Sequence, residues 1–198
     1  MNDSLNNIEH AIQNISQTYS ELTDSCMPDF IQVSKYFTKD KSTLLVTEGQ
    51  YADKSYFIIK GCARAYYLKD GKDITDWFAF ENDFINSINS FFENIPSPHF
   101  IELLEPTTFL EISRADIFHL ADSYHDFDRL LRIIATKTML ALRNRIFSIQ
   151  FETARQKYEN LLIIRPDITQ RVPLMHIASY LGITLETLSR IRNPRNRI

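Results

Sequence analysis

Cysteine, unbroken apolar sequence and clustered histidine are all scarce in this 198-residue chain, and each shortage removes a class of function. Cys26 and Cys62 are the only cysteines. They are too few and too far apart for a zinc pattern or a four-ligand iron–sulfur cluster, and they suit thiols kept reduced in a cytoplasm. No apolar run approaches the roughly 18 residues that a membrane-crossing helix needs. The start, Met1-Asn2-Asp3-Ser4, lacks the basic and apolar regions of a secretory signal. No His-x-His, Gly-x-Ser-x-Gly, paired-cysteine or phosphate-loop motif occurs, so the usual signatures of metal, hydrolytic and nucleotide-hydrolysing enzymes are missing. His119 and His125 lie six apart, a spacing that does not align them on one helical face. Both, like His99, read as structural or exposed residues. The expectation is a cytoplasmic protein with no cofactor, no metal site and no catalytic residue.

Basic charge is also scarce until late in the chain. Residues 1–149 carry 14 Lys+Arg against 21 Asp+Glu, a net −7; residues 150–198 carry 8 against 4, a net +4; together they return the overall −3. Arg190, Arg192, Arg195 and Arg197 crowd the end with no acid among them. Local basic charge of this kind suits phosphate neutralisation, although a solvated charged tail would look the same.

What the chain does contain is a change of hydrophobic period, twice. Leu5, Ile8, Ile12, Ile15, Tyr19 and Leu22 recur at helical spacing over 4–23, and a second short helix is expected over 30–37. After Lys41 the period becomes two, giving strands over 43–47, 55–60, 62–69, 73–80, 100–104 and 108–112. Asp70-Gly71 is a strong hairpin turn signal, and Gly61 plays the same part for the preceding pair. Many short strands with frequent turns indicate a sandwich or small β-roll. Trp77, Phe80, Phe84, Phe91, Phe92 and Phe100 would line its interior, as core or around a ligand.

From Arg114 the helical period returns. A short helix holds Ile117, Leu120 and Ala121. A long one carries Phe127, Leu130, Leu131, Ile134, Thr138, Ala141, Leu142, Arg145 and Ile146 at close to 3.5 residues. That stripe suits either packing against a second copy or covering the roll. A further helix spans 152–164 and ends before Pro166. Leu174, Ile177, Ala178 and Leu181 then line one face of a helix, Gly182 supplies a tight turn, and Thr184 caps another helix that turns Leu188 and Ile191 inward. Glu186, Thr187, Ser189 and Arg190 face out. This is a helix-turn-helix pattern with groups able to reach base edges, though helical hairpins of this kind also occur in proteins that never touch DNA.

The order of parts resembles the Crp/Fnr family of bacterial transcription regulators over roughly residues 20–195. The most specific pieces are Ile177–Ile191 and Glu48-Gly49 with Tyr56-Phe57-Ile58-Ile59-Lys60-Gly61; Phe84-Ile85 and Phe91-Phe92 fit the roll's short helical cassette. Tyr158-Glu159-Asn160-Leu161-Leu162, then Pro166 and Ile177-Ala178, looks most like the effector-orphan members of Bacteroidetes-type bacteria. The resemblance implies an α+β chain in three parts. A cyclic-nucleotide-binding-type β-roll (a double-stranded β-helix or jelly-roll) occupies 1–125, a long dimerisation helix 126–148 and a helix-turn-helix domain 149–198. It further implies a homodimer reading a near-palindromic operator in double-stranded DNA through a recognition helix over 185–193, with RNA polymerase as partner.

By position the resemblance assigns base contacts to Glu186 and Arg190, supporting or phosphate contacts to Thr184, Thr187 and Ser189, and backbone contacts to Arg192 and Arg195. Leu185 departs from the basic residue often found there and would reach a thymine methyl instead. Pro194 should end the recognition helix, and the chain's end at Ile198 leaves no room for the β-hairpin wing of many members. Where nucleotide-binding members place Gly-Glu and Arg-Ser or Arg-Thr, this chain has Asn86-Ser87 and Ser97-Pro98, or Pro98-His99. Residues 81–105 contain no Lys or Arg but five acids: Glu81, Asp83, Glu93, Glu102 and Glu105. An anionic cyclic phosphate would find repulsion and no guanidinium fork. Asn86, Ser87, Ser97, Pro98 and His99 therefore stand as candidates for some other, unidentified effector. Two readings compete with the regulator: a cupin-like metal enzyme, and a dimeric ligand-sensing module that no longer binds DNA.

Overall fold

The computed structural model describes residues 2–193. Two helices lead into the roll, α1 (Asn2–Thr18) and α2 (Met27–Val33). The roll's strands are β1 (Lys35–Lys39), β2 (Leu44–Val46), β3 (Lys54–Lys60), β4 (Ala63–Lys69), β5 (Lys72–Ala79), β6 (Phe84–Asn86), β7 (Phe100–Leu103) and β8 (Thr107–Ser113), with helix α3 (Ile88–Glu93) between β6 and β7. They form two four-stranded sheets, in the orders β1-β8-β3-β6 and β2-β7-β4-β5, with every neighbouring pair antiparallel. This is the expected jelly-roll.

The expected helix over 30–37 ends early. Ser34 is extended, and Lys35–Lys39 pairs along β8 as an edge strand. The three-residue β6 is too short to leave a period in the sequence. At Asp70-Gly71 both residues have positive φ (53° and 74°), as a two-residue hairpin turn of type I′ requires. Gly61 is fixed by close packing, since a Cβ there would stand 2.8 Å from the Thr107 Cα.

The expected aromatic interior does not form. Inside the roll the core is Val46, Tyr56, Ile58, Ile85, Ile101, Leu103 and Phe109, with Trp77 alongside. Phe91 and Phe84 turn instead toward α1, α2 and the following helices, Phe80 turns toward the C-terminal region, and Phe100 stacks on Tyr66 at 5.1 Å. Phe92 is 60% exposed. Strand alternation sends neighbouring aromatic residues to different faces, so one sequence cluster feeds three separate cores.

Beyond the roll run α4 (Arg114–Ser123), α5 (His125–Phe151), α6 (Ala154–Ile164), the short α7 (Ile168–Arg171), α8 (Leu174–Leu181) and α9 (Leu185–Arg192). Ser113 caps α4, and Thr153 with Gln156 forms a capping box on α6. At 27 residues α5 is about 40 Å long. The stripe read from the sequence packs mostly within the chain: Phe127 and Leu130 are buried among residues of α1, α2 and α4, with Leu131 and Ile134 packed against them. Further along, Arg145 donates to the Thr75 and Tyr180 main-chain oxygens. The opposite side of α5 is the apolar face left outside, with Met139, Leu140, Ile146 and Phe147 all exposed.

Candidate nucleic-acid interface

The turn between α8 and α9 is built by main-chain geometry. Gly182 adopts φ +67°, its N–H donates to the Ser179 carbonyl at 3.0 Å, and the Ile183 N–H donates to the Ala178 carbonyl at 3.0 Å. These two bonds satisfy the free carbonyls at the end of α8 and reverse the chain. Thr184 then accepts from the Thr187 N–H at 3.1 Å and starts α9. Leu188 is fully buried and Ile191 packs against the same core.

What remains outside on α9 is Leu185, Glu186, Ser189, Arg190 and Arg192, all exposed, with Thr184 at its start. Thr187 is half-buried, its hydroxyl 3.0 Å from that of Thr184, so it supports the cap rather than standing free. Arg190 and Arg192 make no ion pair among the described residues. Arg195 and Pro194 lie outside those residues.

Among the described residues, the other arginines after residue 150 are internally engaged. Arg171, in α7, forms ion pairs with Glu81, Glu105 and Asp167; the Glu81 contact is 2.6 Å. Arg165 meets Asp83 at 3.3 Å and Arg155 meets Glu159 at 2.7 Å. Burial acts to raise the Glu81 pKa, but the Arg171 fork and the Gly61 N–H overcome it and hold the carboxyl at about 2.

This corrects the repulsion read from the acidic stretch 81–105. Glu81, Asp83, Glu102 and Glu105 bind Arg171, Arg165 and Arg64, and the pairs made by Arg165 and Arg171 join the roll to the C-terminal helices. Sequence reasoning missed Arg165 and Arg171 because their partners in the roll stand 66 to 90 residues away, and Arg64 because Glu102 is 38 residues away. One signal was available: of five acids in a segment without cations, any that folding buries must find cations elsewhere.

A second clasp fixes α8 itself to β5. Arg64, almost fully buried, donates to Thr75 Oγ1 at 3.2 Å and to Asp73 at 3.0 Å, pairs with Glu102 at 2.9 Å, and lies 2.8 Å from His176 Nδ1. Neutral His176 accepts that bond. Its burial and the neighbouring Arg64 charge lower its pKa, against the pull of Asp73 and Glu102. Beside it, Ser179 accepts from the Thr75 N–H at 2.9 Å and donates to the Asp73 carbonyl at 3.1 Å. Cys62, Phe78, Phe80 and Leu104 of the roll share one apolar core with Ile168, Ile177, Leu181 and Leu188. The helix-turn-helix is therefore seated on the roll.

The effector candidates are close together but occupied with one another. Ser87 and Ser97 are buried, their hydroxyls 2.8 Å apart, and Ser97 Oγ donates to the His99 carbonyl at 2.7 Å. The Gly49 N–H and the Gln50 carbonyl bond the Ser97 main chain. Asn86 ends β6 opposite Ser55, and Pro98 is half-buried. His99 is buried edge-on to Tyr67, with neither ring nitrogen hydrogen-bonded among the described residues, and desolvation lowers its pKa. Among the described residues no three His, Cys, Asp or Glu side chains are grouped to hold a metal, and no helix is long and apolar enough to cross a membrane.

Residues 38–124 match the family model of the cyclic nucleotide-binding domain. No curated protein is matched by sequence. Among solved structures, FixK2 from Bradyrhizobium japonicum superposes with a TM-score of 0.70 at 19% identity, over 82% of this chain and 84% of that one. The fold is that of solved Crp/Fnr-family regulators. The Crp/Fnr likeness extends past the roll, because that overlap is far longer than residues 38–124. CLP, the c-di-GMP-responsive global regulator of Xanthomonas campestris, gives a TM-score of 0.66 at 16% identity, over 87% and 91% of the two chains. A CooA mutant from Carboxydothermus hydrogenoformans gives 0.65 at 18%, over 88% and 79%. The resemblance to Crp/Fnr regulators read from the sequence is thus met in three dimensions.

Proposed function

We propose that this chain is a non-enzymatic, cytoplasmic DNA-binding transcription regulator, divided into a roll (1–125), a long helix (126–148) and a helix-turn-helix domain (149–198). The observation that carries the reading is the outer face of α9: a capped helix on a hydrogen-bonded turn, presenting Glu186, Ser189, Arg190 and Arg192 to solvent, the two arginines without an ion pair among the described residues. Arg190 takes the O6 and N7 acceptors of guanine, Glu186 accepts from cytosine N4, and Leu185 packs on a thymine methyl. Thr184, Ser189, Arg192 and Arg195 flank them at the phosphates. RNA polymerase is the downstream partner.

The regulator acts as a homodimer through the exposed face of α5, where Met139, Leu140, Ile146 and Phe147 would be covered by the same residues of a second copy. Two recognition helices then enter successive major grooves about 34 Å apart. Cyclic nucleotides are not the signal, because Ser87 and Ser97 bond each other where a phosphate fork would be needed.

Selection of bound sequences from a random duplex pool tests this reading. A near-palindrome with half-sites about one helical turn apart is expected, with no change on adding cyclic AMP or cyclic GMP. Failure to enrich any sequence would overturn it in favour of a ligand-sensing module. Stoichiometric iron, zinc or manganese in the purified protein would point to the cupin-like enzyme.

A further inference from the structure

The roll also reaches the α9 end of the molecule. The β4–β5 hairpin turn, Lys69-Asp70-Gly71-Lys72, lies across a groove from Gly182, Thr184 and Leu185, where α9 begins. All four turn residues are exposed, and neither lysine makes an ion pair among the described residues. The next acid, Asp73, is already engaged by Arg64, so the tip carries a net positive charge.

The tip is tied to the helix-turn-helix through β5. Ser179 grips the main chain of β5 at Asp73 and Thr75, one and three residues past Lys72, and Ser179 is in α8, three residues before the turn. The tip and the start of α9 therefore belong to one braced unit. Helix-turn-helix proteins insert the start of the recognition helix into the major groove. That groove is only about 12 Å wide, so a phosphate strand runs close beside whatever flanks the helix start.

We infer that Lys69 and Lys72 of the β4–β5 hairpin form a second, sequence-independent contact with the DNA phosphate backbone, extending the interface from α9 onto the roll. The inference rests on the DNA-reading function proposed above. The occupant is a polyanionic backbone rather than an acidic protein because the tip flanks Thr184 and Leu185, at the end of α9 that a helix-turn-helix inserts into the major groove between phosphate strands.

The test titrates the full chain with a selected duplex and a scrambled duplex, from 50 to 200 mM salt. Each phosphate contact adds about 0.9 to the slope of log affinity against log salt. Because each copy of the proposed homodimer carries the hairpin, Lys69→Ala/Lys72→Ala removes four contacts and should lower that slope by about 3.6, so that wild type loses roughly 150-fold more affinity than the variant across this range. The loss should be equal on both duplexes. Asp70→Asn, which keeps an Asn-Gly turn, should tighten binding to both. A wild type that binds neither duplex overturns the function and this inference together. A wild type that binds, with the double variant unchanged in slope and still folded by its thermal transition, overturns the hairpin contact alone. Loss confined to the selected duplex also overturns it, since phosphate contacts carry no sequence information.

Discussion

Helices α8 and α9 are each eight residues long and three residues apart, yet they have opposite relations to the roll. Through His176, Ser179 and Tyr180, α8 is joined to Arg64, to the β5 main chain and to Arg145. Only one apolar edge of α9 is turned inward, and its polar face is left to solvent. The contrast teaches that in a two-helix reader one helix can be given over to position and the other to contact. Orientation is set by α8 against the roll; chemistry is offered by α9.

The strongest way to break that division is at Arg64. Arg64→Leu removes the guanidinium but leaves Asp73 and Glu102 partly buried without a partner, and should cost about 3 kcal/mol in a denaturant melt. Arg190→Ala acts on the other helix. It should leave the melt unchanged and cost about 1–3 kcal/mol of binding per half-site, with relaxed preference at one base pair in each, read in competition titrations. Thr184→Ala touches both helices through the cap between them and should lower stability by about 1 kcal/mol.

The smallest effect sharpens the comparison by pH. His176 has a pKa lowered from 6.5 by burial and then by Arg64, with Asp73, Glu102 and the nearby Lys41 the other charges acting on it. When pH falls through 6.5 the unfolded chain takes up this proton before the folded one, so stability should fall below about pH 7. It levels off once the folded His176 also protonates. His176→Gln, whose amide oxygen can accept from Arg64, should flatten part of that slope in thermal melts. The residue left belongs to His99, whose pKa is lowered by burial. Glu81 acts in a separate window, its contribution lost as pH falls from 4.5 toward 2.

Local rules made much of this structure readable. Asp-Gly between alternating strands, a capping threonine after glycine and long helical periods each act within a few residues, and the hairpin, the α8–α9 turn and α5 lie where those signals fall. The failures all involve distance. Which face of α5 meets the roll depends on α1, α2 and α4, none of which the period of α5 can encode. The aromatic residues between 77 and 100 looked like one lining because sequence proximity does not show which side of a strand each occupies. Arg64, between Ala63 and Ala65, was the clearest overlooked signal: a charge flanked by two small residues in a strand must be paired if it is buried.

Thr75 is where the three parts of the molecule meet. Its N–H holds α8, its carbonyl takes a bond from Arg145 of α5, and its hydroxyl takes one from Arg64. A fulcrum works this way, with several arms bearing on one point. A slip of β5 by a fraction of an ångström would strain a bond to α8 and a bond to α5 at once, so neither arm can swing without loading the other.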